Sequence, residues 1–343
     1  MVSDPQADLE WLLAPLAGYT DVPFRRSCRR CGCRRAFTPL IDACALIYGN
    51  RHNAEILARD ASEPWLGVQL LGSDPAQLRE AAERLQAMPF DQIDLNLGCP
   101  VRKVTQKGAG AALALDAERA LRCVEAVRRA SGGRPLSVKM RILAEGDPEP
   151  TVALAQRLAA AGVEALTVHG RVMQRVYAGP VWAGIIAAVR AAVPIPVAAN
   201  GGIFSRADGL RLAAATGCRH LMVARGAIGN PWLFRDLAGL PGAVPSHGEV
   251  CEELREHLAG MVALYGEGPG LREGRKIILG YLCGRGYPRA LRSSVNLVST
   301  WDEFMALWRQ VQAALPLETP VPMGPRPGLV LAELRPAAGT GLG

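Results

Sequence analysis

The sequence predicts an α/β protein: a (β/α)8 barrel of the TIM type followed by a C-terminal helical domain. Three observations predict it. Eight short apolar runs recur at fairly even intervals along the first two thirds of the chain. Segments with helical spacing lie between them. Polar residues gather at the C-terminal ends of the runs, where barrel enzymes keep their functional groups.

The runs are Trp11–Pro15, Arg35–Leu40, Trp65–Leu71, Gln92–Asn96, Leu136–Met140, Ala165–His169, Ile195–Ala199 and His220–Ala224. Most lack apolar/polar alternation, so they read as parallel strands buried on both faces. Helices are expected at 75–86, 116–130, 151–161 and 205–216. The first is preceded by Ser73-Asp74 and opens on Pro75, and the last opens on Ser205, as helix starts do. Right-handed crossovers would close eight such units into a barrel. A doubly wound open sheet is the competing architecture. Residues 1–240 are assigned to the barrel. Beyond a Pro/Gly/Ser connection the pattern turns helical without strands, and 241–314 reads as a small helical domain. Residues 315–343, rich in Pro and Gly, read as a flexible tail.

The chain has 343 residues, 49% of them hydrophobic and 21% charged, enough for a full core and too apolar for a disordered chain. No run of about 18 apolar residues suggests a membrane span. Met1–Glu10 is polar and acidic, unlike a secretory signal. Nine scattered cysteines read as thiols in a reducing cytoplasm. The net charge of +7, mostly from arginine, favours an anionic partner and mildly raises a nucleic-acid reading.

The run ends carry the candidate chemistry. Asn200-Gly201-Gly202 and Ala224-Arg225-Gly226 follow runs seven and eight, where barrel phosphate sites lie. Lys139 sits in an apolar run and, pointing inward, needs an acceptor. The edge of a flavin ring is one candidate, and a structural ion pair with Asp94 is the other. His169 and Gln69 lie on the same rim. Cys99, between Gly98 and Pro100, is followed by Arg102, Lys103 and Lys107. A thiol there serves as nucleophile or general acid, and its chemistry alone does not choose. Cys28, Cys31 and Cys33 invite a metal, but no fourth ligand is evident, so none is assigned. The neighbouring Arg25, Arg26, Arg29, Arg30, Arg34 and Arg35 read as a solvated basic face suited to RNA.

These residues fall in motifs that resemble the tRNA-dihydrouridine synthases, flavin-dependent (β/α)8 enzymes with a helical C-terminal domain. The motifs are residues 13–21 (LAPLAGYTD), 68–74 (VQLLGSD), 93–100 (IDLNLGCP) with Lys103, Gly108, Gly110 and Ala111, 137–141 (SVKMR), 166–171 (LTVHGR) and 199–203 (ANGGI). Their order and spacing are most similar to the bacterial DusB-type branch, from about Leu12 to Trp308.

The resemblance implies FMN held by Pro15, Leu16, Ala17, Gln69, Lys139, His169, Asn200, Gly201, Gly202, Ala224 and Arg225, with NADPH as reductant. It implies hydride transfer to uracil C6 and a proton from Cys99 to C5. Asn96, Arg141 and Arg171 would meet the substrate at the pocket. Arg275 and Lys276, with Arg272, Arg285, Arg289 and Arg292, would grip the tRNA. The target uridine must swing out of its stack. No obligatory protein partner is inferred, a monomer is compatible with the reading, and the expected compartment is the cytoplasm. Two departures stand out. Thr38-Pro39-Leu40 lacks the acid that family members often carry, with Asp42 as a substitute, and Ala224-Arg225-Gly226 replaces Gly-Arg-Ala. The alternatives are a flavin barrel acting on a free pyrimidine and a non-catalytic RNA-binding barrel.

Overall fold

A computed structural model describes residues 9–50, 52–324, 329–332 and 334. Eight parallel strands close in sequence order into a barrel. They are β1 (Glu10–Leu13), β2 (Arg35–Asp42), β3 (Leu66–Leu71), β4 (Gln92–Leu97), β5 (Leu136–Arg141), β6 (Ala165–His169), β7 (Val197–Asn200) and β8 (His220–Val223). Leu12 pairs with Met222 across the β1/β8 closure. Two irregularities of the sheet fall at prolines. The ladder of β7 begins only after Pro196, and the pairing of β2 with β3 shifts between Phe37 and Leu40, around Pro39. Proline has no N–H to give a ladder.

The helices of the barrel part are α1 (Val22–Arg30), α2 (Ala43–Tyr48), α3 (Asn53–Leu57), α4 (Pro75–Leu85), α5 (Arg102–Thr105), α6 (Ala117–Ala130), α7 (Glu149–Ala160), α8 (Ala183–Ala192), α9 (Arg206–Thr216) and α10 (Leu233–Leu237). Side-chain caps start several of them: Asp21, Asp42, Asp74, Asp116 and Ser205 each accept a first-turn N–H. One apolar layer fills the space between strands and helices. A smaller one, Leu12, Ala14, Phe37 and Met222, forms a separate cluster of barrel-strand residues.

The C-terminal elements are α11 (His247–Tyr265), α12 (Glu267–Leu282), α13 (Arg289–Ser294) and α14 (Trp301–Gln312). Capping boxes, Ser246 with Glu249 and Thr300 with Glu303, fix the starts of α11 and α14. Helix α12 meets the loop after β8 backbone to backbone. A Cβ on Gly229 would lie 1.9 Å from the Gly280 carbonyl carbon, so only glycine fits.

The tail segment was expected to be loose, and part of it lies outside the described residues. In the described part, Val321 N–H donates to Pro245, Val181 N–H to Val330, and Leu329 N–H to Asp208 at 3.0 Å, with Leu329 buried. These bonds tie it to the barrel and to the connection before α11. No helix among the described residues is long and apolar enough to cross a membrane.

Candidate active site

The C-terminal mouth of the barrel holds a cavity of about 450 Å³. Its wall includes Pro15, Leu16, Ala17, Gln69, Asn96, Cys99, Lys139, Arg141, His169, Asn200, Gly201, Gly202, Ala224 and Arg225. All of the residues expected to hold the cofactor are therefore brought together, with Cys99 among them.

Strand register builds the floor. Gln69 lies opposite Asp94, Asp94 opposite Ser137, and Asn96 opposite Lys139. Gln69 Nε2 donates to Asp94 Oδ2 (2.6 Å) and Ser137 Oγ to Asp94 Oδ1 (2.5 Å). Burial still pushes the Asp94 carboxyl up to about 6. Lys139 Nζ donates to Asn200 Oδ1 at 3.1 Å rather than joining Asp94 in a direct pair. Burial and the neighbouring Arg141 bring the lysine down to about 8. Burial, then Lys139 and the arginines, holds His169 well below the usual imidazole range, so it is neutral at pH 7.

Asn96 also has a role within the protein. It lines the cavity, while its Oδ1 accepts Gly98 N–H (3.0 Å) and Cys99 N–H (2.8 Å), and its Nδ2 donates to Gln69 Oε1 (2.7 Å). Its amide shapes the turn that carries Cys99. Arg141 is likewise a clamp. Its Nε donates to Gly98 O (2.8 Å) and its Nη1 to Val176 O (2.9 Å), joining the loops after β4 and β6.

Four expectations need correction. Arg171 is buried outside the cavity, where Nε donates to Gly179 O at 2.9 Å. Arg285 is buried too, donating to Gly229 O, Asn230 Oδ1 and Val321 O, so it is part of the packing of the helices. The arginines of α1 do not form a free basic face. Arg25 is fully buried on Glu63, which Arg29 shares, while Arg26 pairs with Asp60 and Arg30 with Glu253; Arg35, on β2, pairs with Glu10. Asp42 does not replace the missing acid, because it caps α2 through Ala45 N–H. Arg275 and Lys276 lie on α12, outside the cavity wall. Arg275 Nε donates to Val298 O, and Lys276 pairs with Glu273. Cys28, Cys31 and Cys33 are buried, and burial pushes the Cys31 and Cys33 thiols up to about 12. Protonated thiols of this kind pack as small apolar groups.

Several wall residues were not foreseen: Tyr19, Leu40, Val176, Tyr177 and Phe204. Val176 has φ 50°, the one non-glycine with positive φ among the described residues. A β-branched residue there is strained, and the Arg141 bond to its carbonyl helps hold it. The Arg225 guanidinium lies 4.0 Å from the Tyr177 ring centroid and 5.6 Å from that of Phe204.

The wall is chemically one-sided. Lys139, Arg141 and Arg225 line it, and among the described residues no Asp or Glu does. Gly201 and Gly202 have φ of 131° and 72°, and a Cβ on Gly201 would press on His169 at 3.0 Å. Bare backbone beside cations fits a planar ring with a phosphate tail.

Fold and wall together define a closed parallel barrel with a candidate cofactor pocket at its mouth. The dihydrouridine synthase (Dus) family model matches residues 12–316. The chain is 36% identical to "tRNA-dihydrouridine synthase B" of Pseudomonas aeruginosa, over 87% of this chain and 91% of that one. It is 36% identical to a "Probable tRNA-dihydrouridine synthase" of Rhodobacter capsulatus, over 77% and 83%. In fold it is similar to histamine dehydrogenase from Rhizobium sp. 4-9, at TM-score 0.53 and 12% identity, covering 94% of this chain and 63% of that one. The chain belongs to the dihydrouridine synthase family, and its activity is the flavin-dependent reduction of uridines in tRNA.

Proposed function

We propose that this cavity is where FMN and the target base meet. Asn200, Gly201, Gly202, Ala224 and Arg225 would hold the phosphate end. Pro15 to Ala17, Gln69, Lys139 and His169 would hold the ring. Bound there, FMN supplies the hydride that ends on uracil C6, and NADPH is the reductant that recharges it. Cys99 gives its Sγ proton to C5, which gains carbanion character as C6 is reduced. Lys139 offers a cation to the electron-rich ring edge, and neutral His169 adds a hydrogen bond without a second charge.

The everted uridine gives up its stacking, a cost of about a few kcal/mol that contacts elsewhere on the tRNA offset. Arg141 orients the base or holds the loop above it. Arg275 and Lys276 belong to a tRNA-binding surface on the helical domain, 241–314. The compartment is the cytoplasm, where tRNA resides. One observation carries the reading: Cys99, Lys139 and the two glycine loops face a single cavity that no carboxylate lines among the described residues.

Nucleoside analysis and position mapping of tRNA, from cells with and without this chain, tests it. Loss of dihydrouridine at defined positions is expected. Unchanged dihydrouridine everywhere, in cells with no other such reductase, contradicts it.

A further inference from the structure

The loop between β1 and α1 supplies Ala14, Pro15, Leu16, Ala17 and Tyr19 to the cavity wall, more than any other loop. Its near end is fixed by the barrel, since Ala14 N–H donates to Val223 O at 2.8 Å. Its middle is a tight turn: Tyr19 N–H donates to Leu16 O, and Leu16 N–H to Thr20 Oγ1, both at 2.9 Å.

The far end is held differently. Asp21 is buried, and its Oδ1 accepts Phe24 N–H at 3.0 Å. Its Oδ2 accepts the hydroxyl of Tyr265, from the last turn of α11, at 3.0 Å. The Tyr19 ring stands between two supports. Phe24 packs edge-on at 6.3 Å, and Lys276 Nζ of α12 lies 5.2 Å from the ring centroid. The C-terminal helices thus reach the pocket wall through two side chains, neither of which lines the cavity.

We propose that Tyr265 is a positioning residue: through Asp21 it fixes the loop carrying Tyr19, so that the helical domain sets turnover as well as affinity. The inference rests on the functional reading above. A buried carboxylate that loses a hydrogen-bond donor regains solvent or shifts, and the loop it anchors loosens. Misplacing one wall of the cavity affects the reacting geometry more than remote contacts to the tRNA.

The test uses flavin-loaded Tyr265→Phe and unmodified tRNA. Three quantities are read: flavin content with reoxidation of the reduced protein by dissolved oxygen, kcat and KM for tRNA, and hydrogen exchange over residues 14–21. Flavin content and reoxidation by oxygen stay at wild-type values, because neither involves the far end of the loop. The expected kcat falls about fivefold, while KM stays within about twofold, as for a contact acting on the reacting geometry. Amides of 19–21, at the far end, exchange faster.

Unchanged kcat and exchange overturn the inference. So does a raised KM with unchanged kcat, which makes Tyr265 a plain tRNA contact. If the phenylalanine variant fails to fold, Asp21→Asn carries the test. It keeps the cap acceptor and weakens the tyrosine bond, so kcat falls about twofold and exchange moves the same way. Wild-type values in that variant overturn the proposal. If wild type itself never passes electrons to tRNA, the functional reading fails, and this inference with it.

Discussion

The carboxamide of Asn96 receives the N–H of Cys99 at 2.8 Å and that of Gly98 at 3.0 Å. The residue expected to meet the base, which lines the cavity, also builds the turn that presents the thiol. Asn96→Ala removes the one oxygen that accepts both bonds and frees that turn. Turnover on tRNA is expected to fall about 100-fold, as for a misplaced reacting group, with flavin content within about twofold of wild type. Absorbance of the bound flavin and single-turnover kinetics check this together.

Lys139 predicts an opposition between stability and binding. Its folded value is lowered to about 8 from 10.5. Between those values the unfolded chain binds more protons, so this group's contribution to stability rises with pH there. Below about 8 its charge weakens the unliganded fold. Lys139→Met is expected to raise the melting temperature of the flavin-free protein at pH 7 by about 2 °C, an advantage that shrinks as pH climbs toward 10. Flavin retention weakens at least about tenfold, reflecting the lost hydrogen bond and charge. Scanning calorimetry across pH and a flavin titration report the two effects.

Arg25 separates a structural arginine from an RNA-binding one. Its side chain is 0% exposed and its partner Glu63 1%. Arg25→Met leaves that carboxylate buried with a weakened partner set, at a cost of about 3–5 kcal/mol. Urea unfolding should show it, while the salt dependence of tRNA binding by the folded fraction stays unchanged.

Exposed cations of the C-terminal helices should behave in the opposite way. Arg272 and Arg289 are exposed, whereas Arg285 is buried in backbone contacts. Arg272→Ala or Arg289→Ala is expected to lower the slope of log affinity against log salt by about 1, with stability unchanged. Arg285→Ala should lower stability first. Filter binding at several salt concentrations distinguishes them.

The fold was legible because buried parallel strands write their signal as short apolar runs, and helix starts write theirs as Asp or Ser caps. Cys99, Lys139, His169 and the glycine loops were legible because barrel topology sends strand ends to one mouth. What was hidden depends on long-range partners. Nothing local in Arg25 announces Glu63, 38 residues on. Arg171 and Arg285 look like surface cations until loop carbonyls enclose them. Helix α8 (AGIIAAVRAA) is apolar around much of its girth, so helical periodicity is faint. Tyr177 reaches the cavity through the strained turn at Val176, which no spacing rule predicts.

Transient kinetics on Cys99→Ala tests the central claim most directly. The variant should bind the yellow cofactor and accept electrons from NADPH at the wild-type rate. Its reduced form should then transfer to tRNA at least about 100-fold more slowly, because the proton donor to C5 is gone. Transfer to tRNA at the wild-type rate would contradict the assignment of the thiol and the mechanism built on it.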